Sequence, residues 1–149
     1  MVRKIKLFDP AIDKEEISSV TKVLKSKFWA SGAGVANVNK FEKKFKQFVK
    51  ADECIAVNSG TAALNLALSL IDIKNSEVIL PSLSFVSTAN AVIINGGKPV
   101  FVDVDEKTMN IDPIKIEKAI TKKTKAIIPV HFGGLSCNLK KINLLAKKK

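Results

Sequence analysis

Residues Asn58 to Leu70 read NSGTAALNLALSL, a small, polar, glycine-centred step between two apolar segments. Ser59, Gly60, Thr61 and Ala62 are residue types that bind an anion largely through the main chain. The first N–H groups of a helix lack internal acceptors and stand at the positive end of its dipole, and a glycine lets an oxyanion approach the backbone. A hydroxyl at Ser59 or Thr61 adds a further donor. The same residues also serve a simpler purpose, since serine and threonine cap helices. Cap and phosphate cradle both remain open on these residues alone. A second group lies in ILPSLSFVSTANAVIINGGKPVFVDVD. There Phe85, after a short loop over Ser82 to Ser84, is either a core aromatic or a flat surface for a ring. A third stretch, GAGVAN from Gly32 to Asn37, imitates the opening of a dinucleotide-binding GxGxxG. It lacks the third glycine and a convincing preceding strand, which sets nicotinamide and flavin chemistry aside.

The surrounding elements decide where these residues sit. Cys54 to Val57 is a short apolar run bounded by charges and then by Asn, Ser and Gly, which predicts a strand over Glu53–Val57 ending in a turn. From Thr61 the density of Ala and Leu predicts a mostly buried helix to about Ile71. The alternation continues with strand Glu77–Leu80, a helix from about Ser84 to Ile94, strand Pro99–Asp103, helix Pro113–Ile120, strand Lys125–Val130 and a helix from about Asn138. Upstream, Asp13 followed by Glu16 predicts a capping box that opens a helix to about Ser26. KFEKKFKQFVK places Phe41, Phe45 and Phe48 on one face of a helix from about Val38 to Lys50. Strands alternating with helices predict an α/β fold, a mainly parallel sheet flanked by helices on both faces. Ligands of such sheets bind beyond the carboxyl ends of the strands, where the Ser59–Ala62 junction and Phe85 both fall.

Composition narrows the function classes. The 149 residues are 46% apolar, enough for a domain with a real core and unlike a disordered chain. Basic residues number 25 against 14 acidic ones, a formal net charge of +11, yet only Arg3 is arginine. Proteins that read base edges draw on the guanidinium fork, whereas lysines alternating with apolar positions on helices form a solvated surface. No nucleic-acid partner is expected. Cys54 and Cys137 show neither metal-ligand spacing nor a disulfide framework. The N-terminal MVRKIKLFDPAID lacks the apolar stretch of a signal peptide, and no run approaches the length of a membrane span. A cytoplasmic chain with no membrane partner is expected.

In order along the chain, FWASG, NSGTAALNLAL, VILPSLSFVSTANAVIINGGKPVFVDVD, NIDPIKIEKAIT and TKAIIPVHFGG make Phe28 to Ala146 resemble the N-terminal half of the DegT/DnrJ/StrS sugar aminotransferases. The resemblance implies the aspartate aminotransferase fold, here an incomplete large domain, with pyridoxal 5′-phosphate as cofactor. It implies transfer of an amino group, typically from glutamate, to a nucleotide-linked keto-sugar, in the making of amino sugars for polysaccharide or lipopolysaccharide. It also implies a homodimer. Residue by residue, it implies that Ser59, Gly60, Thr61 and Ala62 bind the cofactor phosphate and that Phe85 stacks on the pyridine ring. Trp29 and Ser31 would line the sugar-nucleotide entrance near the dimer interface. The chain then divides into 1–34, an N-terminal helix with a substrate or interface loop, and 35–149, the N-terminal part of the cofactor-binding large domain. His131, in PVHFGG, has no visible base partner and reads as a packing residue or a support to its neighbours. Asp103 and Asp105 read as strand-terminating residues that organise the next turn.

Transamination with this cofactor also needs a lysine that condenses with it and shuttles the proton, and an acid that keeps the pyridine nitrogen protonated. In the family both follow the present stretch, the acid in an EDAAQA-like segment, and none of the 24 lysines here stands in a matching context. No catalytic residue is assigned. The expectation is an N-terminal fragment, truncated or split, inactive alone. The alternatives are a fragment of a related pyridoxal-phosphate-dependent sugar dehydratase and a non-catalytic binding or assembly module. An incomplete sheet is also expected to expose edges and apolar patches and to favour association.

Overall fold

The structure, a computed structural model, describes residues 6, 8–29 and 36–148. The chain divides into two compact units, Met1–Ala56 and Val57–Lys149. In the second, β1 (Glu77–Pro81) is the centre of a three-stranded parallel sheet, with β2 (Lys98–Val102) on one side and β3 (Thr124–Ile127) on the other. Ile79 faces Val100 in one ladder and Ile127 in the other. A strand in this position is buried on both faces and reads as an unbroken apolar run. Val78, Ile79, Leu80 and Pro81 are accordingly all buried.

Successive side chains of a strand point to opposite faces, so β1 serves two cores. Val78 and Leu80 pack with Leu68, Ile73, Ala91 and Val92, the layer supplied by α3 (Gly60–Ser69) and α4 (Val86–Ile94). Ile79 packs with Val102, Ile111, Ile116, Cys137, Ile142 and Leu145, the layer containing α5 (Pro113–Ala119) and α6 (Leu139–Lys147). Helices cover both faces, as the alternation predicts. Local chemistry sets their starts. Asp112 Oδ1 accepts from Ile114 N–H at 2.8 Å with Pro113 just inside the helix, and Asn138 Oδ1 accepts from Lys141 N–H at 3.1 Å. Gly97 is dictated by close approach, since a Cβ there would lie 3.0 Å from Ile73 Cδ1 and Val92 Cγ1.

In the first unit, the capping box forms as expected at the start of α1 (Lys14–Ser26). Glu15 N–H donates to Asp13 Oδ1 at 2.7 Å, and Asp13 N–H to Glu16 Oε2 at 2.9 Å. In α2 (Ala36–Val49) the rings of Phe41 and Phe45 stack with centroids 5.7 Å apart. No described residue of this unit is buried, and Ile17, Val20 and Leu24 on one face of α1 are each more than half exposed.

Two elements differ most from the sequence expectation. The strand expected over Glu53–Val57 does not form. A strand needs a neighbour, and the three that pair are all further along the chain. Ile55 is exposed, and Ala56 N–H donates to the Glu42 carboxylate at 2.8 Å instead of to a ladder. At β3 the regular strand ends at Ile127, short of the expected Val130. Ile128 N–H still reaches Ile79 O at 2.8 Å, and Pro129 then has no N–H to continue.

Replacing Ile79 by Ala is expected to lower unfolding stability by about 2–5 kcal/mol in urea titrations. Ile93→Ala, at a side chain 56% exposed, should stay within about 0.5 kcal/mol of the parent. Equal effects would contradict the two-sided core built on β1.

Candidate functional site: a cleft at the carboxyl edge of the sheet

The α3 N terminus is capped, and the cap leaves donors over. Ser59 is extended (φ −163°, ψ 159°), and its Oγ accepts from Ala62 N–H at 3.1 Å. Its carbonyl accepts from Ala63 N–H at 3.0 Å. Among the described residues, the N–H groups of Gly60 and Thr61 have no acceptor, as the first turn of a helix dictates. The space beside Gly60 is open, because a Cβ built there would meet no atom within 4 Å.

These donors border a cleft of about 620 Å³. Its walls come from Gly60, Thr61, Ala63 and Leu64 of α3, from Phe85, Ser87 and Thr88 at the start of α4, and from Ile128, Pro129 and Val130 beyond β3. The parallel sheet explains the meeting. Phe85 follows the carboxyl end of β1 and Ile128 that of β3, and parallel strands bring those ends to one edge. Phe85 occupies the N-cap position of α4, makes no side-chain cap bond, and is 74% exposed. In this chain its ring is therefore not part of the core.

Of the residues singled out from sequence, Gly60, Thr61 and Phe85 line this cleft, and Ser59 and Ala62 are the adjoining cap pair. Trp29 belongs to the other unit, where its indole N–H donates to Val23 O and Leu24 O at 3.2 and 3.1 Å. Ser31 lies outside the described residues. Ser87 and Thr88 were passed over in the sequence. Their signal is a pair of hydroxyls in the first turn of a helix, VSTANAVII, that is otherwise mostly apolar.

The remaining polar residues near the sheet edge are engaged in shaping loops. His131 Nδ1 accepts from Cys137 N–H at 3.0 Å, and Cys137 Sγ donates to Val130 O at 3.1 Å. Burial pushes the Cys137 thiol pKa up, which keeps it a neutral donor. Buried Asn110 braces the same loop, donating to Leu135 O and accepting from Phe132 N–H, both at 3.0 Å. Asp103 pairs with Lys115 Nζ at 3.1 Å and accepts from Val104 N–H at 2.9 Å. The Lys115 hydrogen bond is the main cause of its lowered pKa. Asp105 Oδ1 accepts from Thr108 N–H at 2.9 Å, Thr108 Oγ1 at 3.0 Å and Lys107 N–H at 3.1 Å, and the Thr108 N–H bond chiefly lowers its pKa. Neither carboxylate lines the cleft. Both serve turns.

The parallel α/β sheet thus gathers an open helix N terminus and an exposed aromatic at its carboxyl edge. Residues 10–149 match the DegT/DnrJ/EryC1/StrS aminotransferase family, and the chain belongs to it. It is 50% identical over 139 residues to the spore coat polysaccharide biosynthesis protein SpsC of Bacillus subtilis strain 168, covering 93% of this chain and 35% of that protein. It is 43% identical over 136 residues to dTDP-3-amino-3,6-dideoxy-alpha-D-galactopyranose transaminase of Aneurinibacillus thermoaerophilus, covering 91% of this chain and 37% of that one. The X-ray structure of the aminotransferase from Psychrobacter cryohalolentis superimposes with a TM-score of 0.87 at 36% identity, over 93% of this chain and 35% of its own. The chain thus spans little more than a third of these proteins, within the aspartate aminotransferase fold that the family shares.

Asp103 and Asp105 have folded-state pKa values below the usual carboxylate value of about 3.9, so the stability they contribute is complete above that pH and is lost as pH falls through the lowered values. Urea midpoints followed from about pH 6 to about pH 2 should therefore fall less steeply in Asp105→Ala than in the parent chain. Parallel profiles would contradict this role.

Proposed function

We propose that the cleft holds pyridoxal 5′-phosphate. Gly60 and Thr61 offer their N–H groups to the phosphate, Ser59 and Ala62 complete that phosphate site, and Phe85 stacks on the ring. The observation that carries this reading is the meeting, on one cleft, of two N–H donors without acceptors and an exposed aromatic. The residues fit the group. The approach to Gly60 is free of side chains, and about 620 Å³ is within the usual range for small-molecule sites. Bound there, the cofactor supplies the electron sink that amino-group transfer requires. The protein's part is to anchor the phosphate through the backbone, set the ring plane with Phe85 and keep water from that face.

The activity of the whole protein is, on this reading, transfer of an amino group from glutamate to a nucleotide-linked keto-sugar, in the cytoplasm and as a homodimer, for amino-sugar and polysaccharide biosynthesis. The names of the two curated relatives support the sugar class, one a polysaccharide biosynthesis protein and the other a dTDP-amino-sugar transaminase. Segment 1–34, with Trp29 and Ser31, would serve the sugar-nucleotide entrance, and 35–149 the cofactor. No lysine and no carboxylate lines the cleft among the described residues, so these residues bind and orient but have no group to move the proton. The 149-residue chain alone is expected to bind without turnover.

Absorbance titration with pyridoxal 5′-phosphate tests this. Gly60→Val places a side chain in the open space beside the donors and should weaken binding at least about tenfold, with little change in Tm. Phe85→Ala should weaken it about 2- to 12-fold. Unchanged affinity in both variants would contradict the cradle. Turnover by the chain, with an absorbance band abolished by replacing one lysine, would contradict the reading of a cleft without a proton carrier.

A further inference from the structure

Ser87 and Thr88 are the second and third residues of α4, in the turn that Phe85 opens, and they are 8% and 5% exposed. Three helical hydroxyls elsewhere in this chain turn back on their own helix. Thr21 Oγ1 donates to Ile17 O, Ser26 Oγ to Val23 O and Ser69 Oγ to Leu66 O, each at 2.7 Å. At Ser87 and Thr88 the carbonyls four residues back belong to Leu83 and Ser84, outside the helix. Among the described residues, neither hydroxyl has a hydrogen-bond partner, although both residues are more than nine-tenths buried. Among the described residues, no fully enclosed side-chain oxygen or nitrogen lacks a partner. These two hydroxyls therefore keep a small opening, and the space their residues line is the cleft. A polar group almost out of water with no partner is unfavourable unless something supplies one.

We infer that the hydroxyls of Ser87 and Thr88 are ligand contacts, hydrogen-bonding polar ring atoms of the phosphorylated pyridine that the proposed function seats in this cleft; the inference rests on that reading. Their place in the turn opened by Phe85 assigns them to the ring, and the open donors of α3 take the phosphate. A hydroxyl both donates and accepts, so the pair suits a ring bearing nitrogen and oxygen. It adds nothing for an unsubstituted aryl phosphate. The site then selects its ligand in two parts, by the anion at one helix and by the ring's heteroatoms at the next.

Calorimetric titration of the 149-residue chain with pyridoxal 5′-phosphate, phenyl phosphate and inorganic phosphate separates these parts. Thr88→Val and Ser87→Ala should each raise the Kd for pyridoxal 5′-phosphate about 3- to 10-fold and leave the other two probes unchanged. Thr88→Ser, which keeps the hydroxyl, should bind as the parent does. Should Thr88→Val fail to fold, Ser87→Ala carries the comparison. Unchanged pyridoxal 5′-phosphate affinity in the variants, or equal weakening of all three probes, overturns the ring assignment while leaving the cradle standing. No binding of pyridoxal 5′-phosphate by the parent chain overturns the cofactor reading and this inference with it.

Discussion

The cleft depends on one strand being buried from both sides. Val78 and Leu80 fill one core and Ile79 the other, so β1 must be covered by helices on each face, and its neighbours must run parallel to it. Parallel strands cannot be joined by a tight turn. Each crossover leaves one edge of the sheet and returns at the other. The loop that opens α4 and the segment beyond β3 consequently emerge together, and the α3 N terminus lies against them in the same cleft. Positive dipole ends gather at that edge because the core demands that topology.

In the proposed function, anion recognition falls to the backbone. The chain carries a net charge of +11, yet no lysine lines the cleft among the described residues. The basic side chains lie along helix faces such as that of α2, whose alternation with phenylalanine already marks them as solvated. Backbone N–H groups do not titrate, and no rotamer entropy is lost in aiming them. Gly60 matters because nothing stands between those donors and solvent. Ser59 reconciles the two readings of NSGTAA: its hydroxyl caps Ala62, and by fixing the first turn it also fixes the two donors that remain.

Much of this was legible in the sequence because it rests on local pattern. The apolar run of EVILP, the capping box at Asp13 and the Pro113 helix start each follow from a few neighbouring residues. The errors come where a distant partner decides. Cys54 to Val57 has the composition of a strand but, among the described residues, no strand to pair with. Phe85 leaves core and ligand surface both open in sequence, since only the packing of α4 reveals its exposure. Ser87 and Thr88 escape notice for the same reason. A hydroxyl in a helix is ordinary, and only its burial without a partner makes it informative. Trp29 sits in a unit with no buried residue among those described, so a ligand role for it lies beyond local pattern.

The most direct test of the account is a ¹H–¹⁵N NMR titration of the chain with pyridoxal 5′-phosphate. The largest amide shifts are expected at Gly60 and Thr61, with smaller ones at Ala62, whose N–H already donates to Ser59, and around Phe85. Shifts concentrated on the lysine-bearing faces of α2 and α6, with Gly60 and Thr61 unmoved, would contradict it.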